Sequence, residues 1–178
     1  MSITRSLPLR ALPVLFMMFL AGPALAQVRQ AYALFDAKGR AIGHKQLLKR
    51  TAEAEVVLFG ELHNNPVAHW LQLVVARELA AKGPLVMGAE MIEADDKAAL
   101  DRYLRGEIDA KGLDTLARLW KNHPTDYAPL VDLAKANKLP FIATNVPRRY
   151  ARAVSRGGFE ALDTVPEAER AWIAPLPI

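Results

Sequence analysis

The stretch VVLFG, residues 56–60, constrains the fold more than any other part of the sequence. Its five residues include no charged side chain, and Glu61 follows directly. A strand that is apolar on both faces is typical of a parallel sheet covered by helices on each side. Asn65 and Pro66 then predict the start of a helix, which continues to about Lys82. A strand followed at once by a helix indicates an α/β unit.

The same alternation continues along the chain. We predict strands at LVMGAEM and PFIATNV, and helices at DDKAALDRYLRG, LDTLARLWK, DYAPLVDLAKANK and PRRYARAVSRGG. Asp126 is expected to cap the third of these helices. Before VVLFG, the stretch AYALFDAKGRAIG predicts two extended pieces around a turn, and HKQLLKRTAEA predicts a helix. The order predicts an α/β fold, a mostly parallel sheet flanked by helices.

Residues 1–26 have the pattern of a secretory signal peptide. Arg5 and Arg10 precede the apolar run VLFMMFLAG, and Ala24-Leu25-Ala26 forms a small-residue cleavage site. We predict cleavage after Ala26 and a single α/β domain over residues 27–178. Because the sequence contains no cysteine, it has neither a disulfide nor a lipid-attachment site, and a periplasmic location is expected.

Charge argues against nucleic acid as a partner. The whole sequence has a formal charge of +4, and removal of residues 1–26 takes away two arginines and no acidic residue. The nearly neutral balance that remains gives no reason to expect nucleic acid as a partner.

Polar side chains follow the predicted strands at their carboxyl ends, where open parallel sheets bind ligands. Glu61 and His63 follow the first strand, Glu90 the second, and Asn145 the third. Since strand side chains alternate with period two, Glu61 and His63 are expected on the same side. His69, at the start of the next helix, shares one side with Gln72 and is expected near the same edge. Together these residues favour a functional site over coincidence, although a lone glutamate at a strand end is more often a cap or a salt-bridge partner.

Other polar and aromatic residues have simpler structural interpretations. Glu93, with the two aspartates after it, is most simply the polar start of a helix. His44 and His123 flank turns and are expected at the surface. Trp120 and Tyr127, at helical spacing, are more often core residues than a cofactor pocket. Arg148, Arg149 and Arg152 most simply form a solvated face.

Three segments together carry a family resemblance: VVLFGELHNNPVAHWLQL, GAEMIEADDKAALDRYLRGE and LWKNHPTDYAPLVDLAKANKLPFIATNVPRR. They resemble the ChaN-type haem-binding uptake proteins, grouped with Tiki, TraB and the erythromycin esterases in one superfamily. The resemblance runs from about Val56 to Arg156. It joins a GExH element, a helix with HxxQ, an AEM element and an NVPR element in the family's order.

The resemblance implies an exported protein of haem or iron uptake that binds haem as a homodimer and works with outer-membrane uptake components. It places the family's motif residues on Gly60, Glu61, His63, His69, Ala89, Glu90, Met91, Asn145, Trp120 and Tyr127. It also implies a tyrosine as iron ligand, with Tyr103, Tyr127 and Tyr150 as candidates and Tyr127 preferred. Arg148 or Arg149 is the expected partner of the haem propionates.

Two functions and an inactive remnant remain as hypotheses. The first is haem binding at the carboxyl edge of the sheet. The second is a metal-dependent hydrolase in which Glu61, His63 and Glu90 hold a divalent ion or activate water. Family members usually continue beyond the NVPR helix, so we expect an incomplete version of the family fold, truncated at the C-terminus, or a chain that needs a partner.

Overall fold

The computed structural model describes residues 30–175. From Ala31 onward, these residues belong to one compact unit. The predicted signal peptide lies outside the described residues.

The N-terminal extended pieces form a small antiparallel hairpin, as predicted. Strand β1 (Leu34–Phe35) pairs with β2 (Ala41–Ile42). The Asp36 carboxylate accepts hydrogen bonds from the backbone N–H groups of Lys38 and Arg40, at 2.9 and 3.0 Å, which holds the turn. Gly39 in this turn has φ +72°, a conformation that favours glycine.

Two helices follow the hairpin. Helix α1 is His44–Ala52 and helix α2 is Pro66–Ala80. Asn65 caps α2 as predicted, since its side chain accepts from the backbone N–H groups of Val67 and Ala68. The first turn of α2 is therefore held by local contacts.

The predicted strand at residues 56–60 is wrong. These residues pair with no strand in the described part of the chain, and they are exposed, with Val56 at 74% and Leu58 at 91%. Apolar composition favours burial, but a strand forms only where a neighbouring backbone offers hydrogen bonds. Here the segment crosses the surface without regular secondary structure between α1 and α2.

The other two predicted strands form a parallel pair. Strand β3 (Met87–Glu93) lies beside β4 (Phe141–Asn145), with Met87 opposite Phe141. The register shifts between Ala89 and Glu93, so that Glu93 lies opposite Asn145. Strand β3 begins and ends two residues later than predicted. As a result Glu90 lies inside the strand, and Glu93 lies at its carboxyl end.

The remaining helices are α3 (Lys97–Leu104), α4 (Ala110–Leu116), α5 (Ala128–Asn137) and α6 (Arg148–Gly157), with 3-10 turns at Ala94–Asp96, Phe159–Leu162 and Glu167–Trp172. Gly158 ends α6 at φ +73°, close to the predicted end. The predicted cap at Asp126 is wrong. A π-helical turn, His123–Tyr127, precedes α5, and the cap position is Tyr127.

The core lies on one face of the β3–β4 pair. Strand side chains alternate, so Ala89, Met91, Phe141 and Ala143 point into the core, whereas Ile142 on the other face is 47% exposed. The most buried helix residues packed in this core are Leu100, Leu113, Val131 and Ala134. Within residues 30–175, no helix is long and apolar enough to span a bilayer.

Candidate functional site

Glu61 is the centre of a buried hydrogen-bond network. Its side chain is 7% exposed. The Tyr127 hydroxyl donates to Oε1 at 2.6 Å, and the Gln72 amide donates to Oε2 at 2.5 Å. His63 Nδ1 lies 3.2 Å from Oε1. The carboxylate is therefore surrounded by groups from three segments, those around residues 61–63, α2 and the turn before α5.

His69 completes this network from the first turns of α2. Its Nδ1 lies 3.2 Å from Glu61 Oε2 and 3.3 Å from Gln72 Oε1. Its Nε2 lies 3.2 Å from the His63 carbonyl oxygen. The structure thus brings together Glu61, His63, His69 and Gln72, which the sequence placed at one edge.

The network sets the protonation of its acid and its phenol. Burial by itself raises the pKa of the Glu61 carboxyl, but hydrogen bonds from Tyr127, Gln72 and His63 outweigh it, so the pKa lies below its usual value. Burial, together with the bond to Glu61, raises the pKa of Tyr127 well above its usual value. Glu61 is therefore an anion, and Tyr127 is a neutral donor.

His63 presents one ring nitrogen outward. Its side chain is 57% exposed, and its Nδ1 faces Glu61. Its Nε2 has no hydrogen-bond partner among residues 30–175. The ring packs edge-on against Trp120 with 4.8 Å between centroids. A carboxylate behind one nitrogen and an open second nitrogen is the arrangement that orients histidine ligands of metals.

A cavity of about 470 Å³ lies beside Trp120. Its lining residues are Glu93, Arg118, Leu119, Trp120, Lys121 and Arg148. Trp120 also packs against the Tyr127 ring, at 5.8 Å between centroids. The same tryptophan therefore contacts both the Glu61 network and the cavity.

Glu93 is a site residue that the sequence interpretation assigned to a helix start. It is 7% exposed and accepts from Arg118 Nε at 3.2 Å and from the Arg148 backbone N–H at 2.9 Å. The acidic stretch after AEM is predicted to be helical, although Ile92 extends the apolar run past Met91 by one more residue. That extension is the signal that could have moved the strand end to Glu93.

Three other predicted residues lie apart from the Glu61 network. Glu90 is exposed on the uncovered face of β3, and Met91 is buried in the core at 8% exposure. Asn145 ends β4 opposite Glu93. In the described ranges, no three His, Asp or Glu side chains are grouped so that they could hold a metal ion, so the structure does not assemble Glu61, His63 and Glu90 as a metal centre.

The remaining candidate tyrosines are also engaged. The Tyr103 hydroxyl donates to Asp132 at 2.5 Å, and burial together with this bond raises the pKa of Tyr103 to about 12. The Tyr150 hydroxyl donates to Glu169. His123, expected at the surface, is buried at 7% exposure, because the π-helical turn folds its ring inward.

The fold and this site define an α/β protein with a buried Glu–Tyr–His network beside a tryptophan-lined basic cavity. The family model described as haem-binding uptake, Tiki superfamily, ChaN, matches residues 47–178, and the chain belongs to this family. The expected resemblance is therefore confirmed. No curated protein matches the chain.

A solved structure has a similar fold. It is described as cofacial heme binding to ChaN of Campylobacter jejuni, and it is similar with a TM-score of 0.59 and 19% sequence identity. The similarity covers 71% of this chain and 52% of that chain. The chain thus spans about half the length of that ChaN protein.

Proposed function

We propose that this chain is an exported haem-binding protein of haem or iron uptake. Membership of the haem-binding uptake family supports this proposal, and so does the fold shared with a ChaN protein whose structure is described as binding heme cofacially. The site offers what haem requires of a protein, namely an axial donor, an apolar wall and cations.

The single observation that carries the proposal is the position of His63. Its Nε2 is open, its Nδ1 is held by the Glu61 anion, and its ring lies against Trp120. A carboxylate behind the ring makes the imidazole a better donor, and haem supplies an iron that accepts such a donor. We therefore assign the axial donor to His63.

Tyr127 acts one step behind this donor in our proposal. Its side chain is 2% exposed and its hydroxyl already donates to Glu61. To bind iron as a phenolate, Tyr127 would have to lose its proton while facing that anion, which its raised pKa opposes. Tyr127 therefore holds Glu61 in place. The experiment must distinguish iron ligation by His63 from direct ligation by Tyr127.

Export, dimerisation and partners belong to the same proposal. The chain would be cleaved after Ala26, reside in the periplasm and receive or deliver haem through outer-membrane uptake components. A homodimer would let two copies share the haem surface around His63, because this surface is open to solvent on a single chain. Sedimentation with and without haemin measures the assembly.

The test is a haemin titration followed by absorption spectroscopy. Wild type should shift the Soret band, and His63→Ala should weaken binding by at least about tenfold and change the spectrum. His44→Ala is the matched control, because His44 lies at the start of α1 outside the network. Tyr127→Phe should give the same bound-haem spectrum as wild type. If wild type in excess gives only the spectrum of free haemin, the proposed function is refuted. If Tyr127→Phe loses the bound-haem spectrum while His63→Ala keeps it, the donor is Tyr127.

A further inference from the structure

We propose that the cavity beside Trp120 binds a carboxylate side arm of the porphyrin through Lys121 and Arg148. This inference rests on the proposed haem binding and names the groups that would recognise the anionic edge of the ligand. It selects two cations out of the four basic residues that surround this region.

Arg118 is already neutralised. Its guanidinium lies 3.2 Å from Glu93, 2.5 Å from Asp95 and 3.1 Å from Asp96. Three carboxylates therefore surround one cation, which leaves Arg118 no charge to offer a further anion.

Arg149 is committed in the same way. It contacts Asp95 at 2.5 Å and Glu169 at 2.7 Å. Its guanidinium also lies over the Trp172 ring, 5.2 Å from the centroid. Arg149 thus ties the C-terminal 3-10 turn to the 3-10 turn Ala94–Asp96 that follows β3. The sequence-based alternative of Arg149 as propionate partner therefore loses its support.

Lys121 and Arg148 differ from these two arginines. Both line the cavity, and within residues 30–175 neither side chain has an ion pair or a hydrogen bond. Both side chains are therefore available to an anion that enters the cavity. The one acid in the lining, Glu93, pairs with neither of them, because its carboxylate accepts from the Arg118 side chain and from the Arg148 backbone N–H.

The backbone around these two cations is held in place. The Arg148 N–H bond to Glu93 fixes the first residue of α6 against the end of β3. Lys121 follows Trp120, whose ring packs against both His63 and Tyr127. The backbone that carries the two cations is therefore already ordered before an anion enters the cavity. This lowers the conformational entropy that is lost on binding.

The chemistry of the ligand class fits this arrangement. Trp120 joins the cavity to His63, and a porphyrin carries its carboxylates at the macrocycle edge, away from the iron. Lysine and arginine bind carboxylates through charge-assisted hydrogen bonds, which are stronger than neutral ones. A carboxylate side arm is thus the part of the ligand that the cavity would recognise.

The experiment compares haemin with haemin dimethyl ester, which has the same macrocycle and iron but no free carboxylate. Wild type should bind haemin about tenfold or more tightly than the diester, as expected for charge-assisted bonds. The double variant Lys121→Gln/Arg148→Gln should bind haemin and the diester with equal affinity, close to the affinity of wild type for the diester. Its Soret maximum should stay that of wild type, because the axial donor is unchanged.

The control variant is Lys111→Gln/Arg152→Gln, which removes the same charges from exposed positions outside the cavity. It should keep the wild-type preference for haemin. Circular dichroism and melting curves of both variants verify folding, which we expect to be intact because Lys121 and Arg148 are exposed.

The outcomes separate this inference from the proposed function. If wild type binds haemin but does not prefer it to the diester, or if Lys121→Gln/Arg148→Gln keeps the full preference, the inference is wrong and haem binding stands. If wild type shows no haemin binding at all, both fail.

Discussion

The Tyr127 hydroxyl donates a 2.6 Å hydrogen bond to the Glu61 carboxylate, although the two residues lie 66 positions apart in the chain. The bond joins the irregular segment before α2 to the π-helical turn before α5. The position of the Glu61 carboxylate, which contacts His63, therefore depends on an aromatic residue far away in the sequence. The candidate site thus depends on how these segments pack together.

We predict that Tyr127→Phe lowers the free energy of unfolding by about 2 kcal/mol, the usual contribution of a hydrogen bond to a charged group. The ring itself should stay packed, since it contacts His69 at 4.9 Å and Trp120 at 5.8 Å between centroids. Urea unfolding followed by tryptophan fluorescence measures the change. An unaltered midpoint would show that the bond to Glu61 does not form in solution.

The acid side of the stability profile should depend on Glu61. Its pKa in the folded state lies below the usual 4.5, so its contribution is fully present above that pH and is lost as the pH falls through the folded value. We expect Glu61→Gln to melt well below wild type at pH 7, and this difference to shrink below pH 4.5. Melting curves from pH 7 to 3 test this, with exposed Glu55→Gln as control. A difference that is constant with pH would mean that Glu61 is not held as an anion.

His123 should titrate below its usual pKa of 6.5, because burial disfavours the charged ring and outweighs the attraction of Asp132 and Asp114. Its Nδ1 is buried without a partner in the part of the chain that the structure describes. Stability linked to this group is present above pH 6.5 and is lost as the pH falls toward the folded pKa. Histidine NMR titration measures the pKa directly, and a value at or above 6.5 would show that burial does not outweigh the attraction of the two aspartates.

Exposure of the VVLFG segment predicts a contrast between two leucines. Leu58→Ala should change the free energy of unfolding by less than about 0.5 kcal/mol, as at other surface sites. Leu100→Ala, at a position with 0% exposure, should destabilise by about 3 kcal/mol. Equal losses in the two variants would indicate that residues 56–60 are buried in solution, as the sequence predicts.

Processing after Ala26 remains a prediction from the sequence. Expression of the full chain in a Gram-negative host should yield a periplasmic product that begins at Gln27, detected by intact-mass spectrometry. A membrane-associated product that begins at Met1 would instead indicate an uncleaved anchor.

Local signals in the sequence were sufficient for most of the helices, for the N-terminal hairpin and for strand β4. Asn65 and Pro66 start α2 through contacts within four residues, and Gly158 ends α6 because its positive φ suits glycine. The short apolar run at Phe141–Asn145 likewise forms the predicted strand. Such features depend on backbone conformation and near neighbours, which a single sequence contains.

Only the tertiary structure decided which polar groups form the site. The segment at 56–60 has the composition of a strand, but pairing requires a neighbouring backbone at hydrogen-bond distance, and composition does not reveal one. The register of β3 against β4 brought Glu93 to the strand end in place of Glu90, and the π-helical turn buried His123. The bond from Tyr127 to Glu61 likewise depends on the packing of two distant segments. Sequence therefore determined most of the helices and the residue types available. The partners of Glu61 and the uncommitted cations were set by long-range packing, because hydrogen bonds and ion pairs depend on distances that no local pattern contains.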